Sequence, residues 1–218
     1  MILDAEIVGV VWLSLKVSLI AAFIGLAFGA PAGAWICMLS KTRQRIWLAV
    51  FSTLLAVPTV VVGLLVYMLL SRSGPLGALE LLFTPTAIIF AQALITLPVV
   101  TVFAYRACAE PWADYGEALR LDIRERWKQG WHLLRMARAG IVMAFLVAFG
   151  RAVSEVGAVM IVGGNIRGAT RVMTTAITLE TRQGNFSFAV ALGLILLAIS
   201  FLVTLATWAI ARGRGEKL

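Results

Sequence analysis

Five long, predominantly apolar runs, at residues 7–39, 46–70, 86–105, 139–162 and 187–211, take up more than half of the 218-residue chain. Each has 20 residues or more, the length a helix needs to cross roughly 30 Å of hydrocarbon. Strands of a membrane barrel are about 10 residues long and alternate strictly, so runs of this length predict helices. The chain therefore reads as an all-α polytopic membrane protein with about five transmembrane helices. Composition points the same way: 61% of residues are hydrophobic and 14% charged, where a soluble domain carries about 25% charged residues.

The charges that remain are unevenly placed. The net charge of +8 would suggest nucleic acid in a soluble chain, but in a membrane chain it is first a topological signal. Alternate connectors, 41–45, 106–138 and 212–218, hold 13 of the 19 basic residues. With five spans these connectors share one face, which the positive-inside rule makes cytoplasmic. The expectation is an N-terminus outside, a C-terminus in the cytoplasm and no nucleic-acid partner. Asp4 and Glu6 replace the basic start of a signal peptide, so the first run is expected to stay in the mature protein.

The largest cytoplasmic connector, 106–138, is too short to form an independent nucleotide-binding or catalytic domain. The chain is expected to be one transmembrane domain over 1–218, with its core at about 8–211. No GxxxxGK[ST] loop occurs, so ATP chemistry would have to come from a partner. Cys37, Cys108 and the single histidine, His132, have no metal-ligand spacing; no metal site and no catalytic residue is expected.

Several residues inside the runs carry chemistry. Gly25, Gly29 and Gly33 recur every four residues, a small-residue face for close helix packing, with Pro31 expected to bend the helix. Prolines interrupt the second and third runs at Pro58 and Pro98. Pro58, Thr59, Gln92 and Thr96 are candidates for lining a path where helices break, the alternative being kinks whose Thr and Gln side chains bond between helices. In the fourth run Arg151 and Glu155 stand four residues apart, one helical turn, beside Ser154. Each ionised group costs about 2.5–3.5 kcal/mol at a helix centre, so the two are expected to pair and face protein or water, as a structural pair or as part of a pore or gate. On the outer face Asn165, Arg167 and Arg171 offer donors for an anion or for carboxylates of a docking protein. The 106–138 segment alternates acidic and basic residues and carries Trp112, Trp127 and Trp131, which predicts a helix outside the membrane on which another protein packs.

Glu117-Ala118-Leu119 in that segment, followed by SEVGA in the fourth run, resembles the membrane subunit of type I ABC importers. The similarity extends through WLSLKVSLIAAFIGLAFGAPAGAW, PTVVVGLLVYMLLSRSGPLG and SEVGAVMIVGGNIRG to the molybdate and tungstate permeases, and is strongest to the tungstate branch. The resemblance implies a homodimer in a prokaryotic inner (plasma) membrane, surrounded by lipid. It further implies two ATP-binding subunits that hold ATP and Mg, with no cofactor on this chain, and an extracytoplasmic substrate-binding protein. Glu117, Ala118, Leu119, Arg126 and Trp127 then belong to the segment that couples to the ATPase. Pro58, Thr59, Gln92, Thr96, Arg151, Ser154 and Glu155 belong to the pathway or gate, and Asn165, Arg167 and Arg171 to binding-protein docking. The expected function is ATP-driven import of a tetrahedral oxyanion, most like tungstate. Molybdate or sulfate import and an ATP-independent channel or secondary anion transporter are the alternatives.

Overall fold

The computed structural model describes the backbone of residues 2–213 and the side chains of residues 6–211; the rest of the 212–218 basic tail and the Asp4 side chain lie outside the described residues. Regular structure among the described residues is helical: α1 (Ile2–Cys37), α2 (Lys41–Ala56), α3 (Thr59–Leu70), α4 (Pro85–Asp122), α5 (Arg126–Met136), α6 (Arg138–Val153), α7 (Gly157–Gly163), α8 (Met173–Arg182) and α9 (Phe186–Gly213), with one short 3-10 turn at Gly77–Leu79. Three helices, α1, α4 and α9, are long and apolar enough to cross a membrane alone, and two bent pairs, α2 with α3 and α5 with α6, bring the total to five.

The centre of the bundle is the pair α1 and α4. A Cβ on Gly25 would lie 2.5 Å from Thr96 Oγ1, and one on Gly33 would lie 2.6 Å from the Thr101 carbonyl oxygen. The glycine row therefore lets the α1 backbone rest directly on α4, close packing within one chain. Apolar clusters then form around this pair. One joins Val17 of α1, Val66 of α3, Ile88 of α4 and Val159 of α7, another Val10 of α1, Val153 of α6, Met173 of α8 and Leu192 of α9. α9 packs on α6 and α8 and turns Leu194, Leu197, Phe201 and Leu202 outward, as expected where lipid or a partner covers the surface.

The second run is broken where Pro58 predicts, into two helices meeting at 91°, and the structure corrects the run-by-run reading in the third and fourth runs. Pro58 has no N–H and holds Val57 in extended conformation, which ends α2 and starts α3. In the third run Pro98 breaks nothing, since α4 continues for 38 residues through Pro98 and Pro111. Pro98 is buried in the α4 packing, and the helix continues on both sides of the missing hydrogen bond. The start of the 106–138 segment is consequently an extension of a membrane helix, and only α5 is a separate helix. The fourth run divides at Ser154–Val156 into α6 and α7, although it contains no proline there.

Candidate functional site

Both α3 and α7 start at a break inside an apolar run, and they pack on each other. A Cβ on Gly63 would lie 2.6 Å from Ala158 Cα, and one on Gly157 2.6 Å from Val60 Cγ2. Beside this crossing lies a cleft of about 390 Å3 walled by Leu54, Val57, Thr59, Leu97, Pro98 and Arg151 among others. Thr59 is half-buried at the start of α3, and Pro58 next to it is exposed. Arg151 comes from the last turn of α6, where a cation is favoured by the helix dipole. Its side chain is exposed and has no ion-pair or hydrogen-bond partner among the described residues. Thr59 and Arg151, 92 positions apart in the sequence, are thus brought to one wall.

The expected Arg151–Glu155 pair does not form. Helix α6 ends at Val153, so spacing of four no longer means adjacency on one helical turn. Glu155 is buried, and its Oε1 accepts the Ala158 N–H of α7 at 3.2 Å, while its backbone carbonyl accepts the Thr174 hydroxyl of α8 at 2.7 Å. It is the N-terminal anchor of α7, placed where an anion also meets the positive end of a helix. Ser154 is exposed in the break. Gln92 and Thr96 stand apart from the cleft. Gln92 Nε2 donates to the Ala152 carbonyl at 2.8 Å, tying α4 to α6, and Thr96 Oγ1 is fully buried between α4 and α1, 3.3 Å from the Ala21 carbonyl.

At the end of the bundle that carries the start of α1, the arginines find carboxylates of their own chain. Arg167 Nε lies 2.9 Å from Glu6, and Arg171 Nη1 bridges Glu6 at 3.4 Å and Glu180 at 3.5 Å. Asn185 Nδ2 donates to Glu180 at 2.8 Å. Arg171 is 10% exposed and Arg167 69% exposed, so the first is a strut between α1 and α8 and the second is available at the surface. Asn165 follows Gly164 in left-handed conformation at φ 52°, which Asn tolerates, and its Oδ1 is buried with no hydrogen-bond partner among the described residues. From the sequence Glu6 stands out only as an acidic residue before the first run, and Glu180 and Asn185 not at all; the matching number of acidic and basic residues in the connectors of this face is a signal for the two glutamates and not for Asn185.

The opposite end is built by the extension of α4 and by α5. Glu117 and Ala118 are exposed and Leu119 half-buried on α4. After a turn at residues 123–125, α5 returns toward the bundle and meets α6 at 81°. Buried Gln129 fastens the turn by donating to the Ile123 carbonyl at 2.6 Å, and Arg126 Nη2 donates to the Met38 carbonyl at the end of α1 at 3.1 Å. The Lys128 ammonium, bonded to Glu125 at 3.1 Å, holds that carboxyl below the usual carboxylate range. With these residues in place, Leu121, Trp127 and Trp131 are 86%, 72% and 55% exposed; His132 is also exposed. Large apolar side chains turned outward among charges mark a surface for a protein partner. No group of three or more His, Cys, Asp or Glu that could hold a metal occurs among the described residues, and Cys37 and Cys108 are buried.

The family model described as binding-protein-dependent transport system inner membrane component matches residues 19–215. The chain is 38% identical over 200 residues to a tungstate uptake system permease protein of Peptoclostridium acidaminophilum, covering 92% of this chain and 88% of the relative. It is 42% identical over 198 residues to a probable anion ABC transporter permease protein of Haloferax volcanii, covering 88% and 85%. Permeases of molybdenum and sulfate transport systems match at lower identity. Among solved structures, a chain of the MetNI methionine ABC transporter in inward-facing conformations has the same fold, with a TM-score of 0.70, 16% identity and 96% of each chain covered.

Proposed function

Because the chain belongs to the family of binding-protein-dependent transport system inner membrane components, we propose that it is the membrane-spanning subunit of an ATP-driven importer that passes tungstate to the cytoplasm. It is a multi-pass membrane transport component and not an enzyme. A separate ATPase and a substrate-binding protein are its partners, and the ATPase holds ATP and Mg. The observation that carries the substrate is the 38% identity, over nearly the whole chain, to a tungstate uptake permease.

The geometry supports a division of labour along the bundle. The exposed Glu117, Leu121 and Trp127 near the α4–α5 turn suit the ATPase; on this reading that end faces the cytoplasm and the Glu6–Arg167 end the outside, as the basic connectors also favour. Exposed Arg167 is positioned to meet acidic groups of the loaded binding protein. Two copies of the chain enclose the passage, each contributing its cleft at the α2–α3 break. Since α4 runs without interruption from the core to Glu117, movement of the ATPase is transmitted to the α1–α4 pair as displacement of one rigid element.

The test is uptake of radiolabelled tungstate into vesicles. Vesicles with this chain, its ATPase and the binding protein should accumulate tungstate only with ATP inside the compartment that the ATPase faces, and vesicles with this chain alone should not. Glu117→Arg combined with Trp127→Ala should leave the chain folded but sharply lower recovery of the ATPase and uptake together. ATP-independent tungstate flux through the chain alone would refute the proposal.

A further inference from the structure

Resting on that reading of transport, we propose that Arg151 is the residue that contacts the oxyanion inside the membrane. It stands thirteen residues after α6 begins at Arg138, about 20 Å along the helix from its start and so within the roughly 30 Å of hydrocarbon that the fourth run crosses. A cation at that depth faces a protein carboxylate, a backbone carbonyl, water or an anion, because lipid chains offer it nothing, and Arg151 bonds no carbonyl among the described residues.

A carboxylate is not available. Of the 11 acidic residues only Glu155 falls within an apolar run, and its carboxylate is buried and committed to the start of α7. A second copy of the chain brings the same sequence, so assembly into a homodimer supplies no other acidic partner at this depth. Arg151 opens instead onto the cleft formed by Leu54, Val57, Thr59, Leu97 and Pro98. A mostly apolar wall around one guanidinium strengthens its attraction for an anion, and the planar fork matches two oxygens of a tetrahedral oxyanion. Since the side chain is itself exposed, the contact is shared with water and stays weak enough for release. Lys16, the other cation within an apolar run, is also exposed, but it is not on the walls of this cleft.

The inference is tested in vesicles holding the assembled complex with its ATPase and binding protein, with tungstate as the probe. Uptake in R151Q should fall about tenfold or more, the loss expected for a charge-assisted hydrogen bond, and R151K, which keeps the charge but not the fork, should lie between R151Q and wild type. R151C gives a readout independent of folding, because both native cysteines are buried. Modification with an aminoethyl methanethiosulfonate, which returns a positive charge, should raise uptake, and the sulfonatoethyl reagent should lower it further, with the equally treated wild-type complex as control. Unchanged uptake in R151Q, or equal effects of the two reagents on R151C, overturns the inference while wild-type uptake leaves the transport reading standing. A wild-type complex that moves neither tungstate, molybdate nor sulfate overturns both.

Discussion

Substituting Gly63 by alanine should push apart the two half-helices that frame the cleft. An added Cβ would sit 2.6 Å from Ala158 Cα and 3.2 Å from both the Cβ and the carbonyl oxygen of Ala158, where ordinary contact begins at 3.4 Å. The obstructing atoms are backbone, so no rotamer change relieves them, and α3 and α7 must separate by about 0.8 Å. A gap of that size forfeits a quarter to a half of the dispersion attraction along the contact, and overpacking of this kind costs about 1–3 kcal/mol. For a chain of this length each kcal/mol lowers Tm by about 2–4 °C, giving a drop of about 2–12 °C. Thermal unfolding of the purified chain in detergent, followed by loss of the monodisperse peak, reads it directly. Gly9→Ala and Gly193→Ala are the controls, because a Cβ there meets nothing within 4 Å. A second substitution, Ala158→Gly, removes the Cβ but not the Cα and should restore less than half of the loss. The reasoning is refuted if Gly63→Ala is as stable as the two controls, or if Ala158→Gly restores it fully.

Two further outcomes follow from the buried charges. Glu155→Ala should destabilise the chain by about 0.5–2 kcal/mol, the range for losing an N-terminal capping side chain, and Glu155→Gln, whose amide oxygen can still accept the Ala158 N–H, should recover much of it; equal losses in the two variants would show that the cap is not the cause. Arg171→Ala leaves buried Glu180 without its cation, while Glu6 keeps Arg167, and should cost about 3–5 kcal/mol, against at most about 1 kcal/mol for exposed Arg167→Ala, a difference that thermal unfolding of the two variants side by side measures.

Some of the site could be read from local chemistry. Trp127 and Trp131 of the 106–138 segment are exposed, as its alternating charge indicated, whereas Trp112 is half-buried against the cluster of Ala34, Cys108 and Leu133. The glycine row pointed to close helix packing because a missing side chain has that one consequence wherever the helix lies, and the partner turned out to be α4. The two prolines show where such reading stops. Pro58 and Pro98 remove the same hydrogen bond, yet only Pro58 breaks its helix. Pro98 is buried within the packing of α4, whereas Pro58 is exposed and has no such support. The break at Ser154–Val156 has no proline to signal it; it is held by the Glu155 carboxylate on the Ala158 N–H three residues on and by the Thr174 hydroxyl, a contact 19 residues away.

The sequence by itself determined that the chain is a bundle of membrane-crossing helices, how many apolar runs it has, and which connectors are basic, because transfer of side chains between water and hydrocarbon is a property of each segment alone. Tertiary structure decided which runs are single helices and which are broken, and it separated Arg151 from Glu155 by ending the helix between them. It also joined Glu6 to Arg171 across 165 positions and set Arg151 beside Thr59 on a common wall. Those outcomes depend on which backbone groups and charges find partners from distant segments, a competition that no window of the sequence contains.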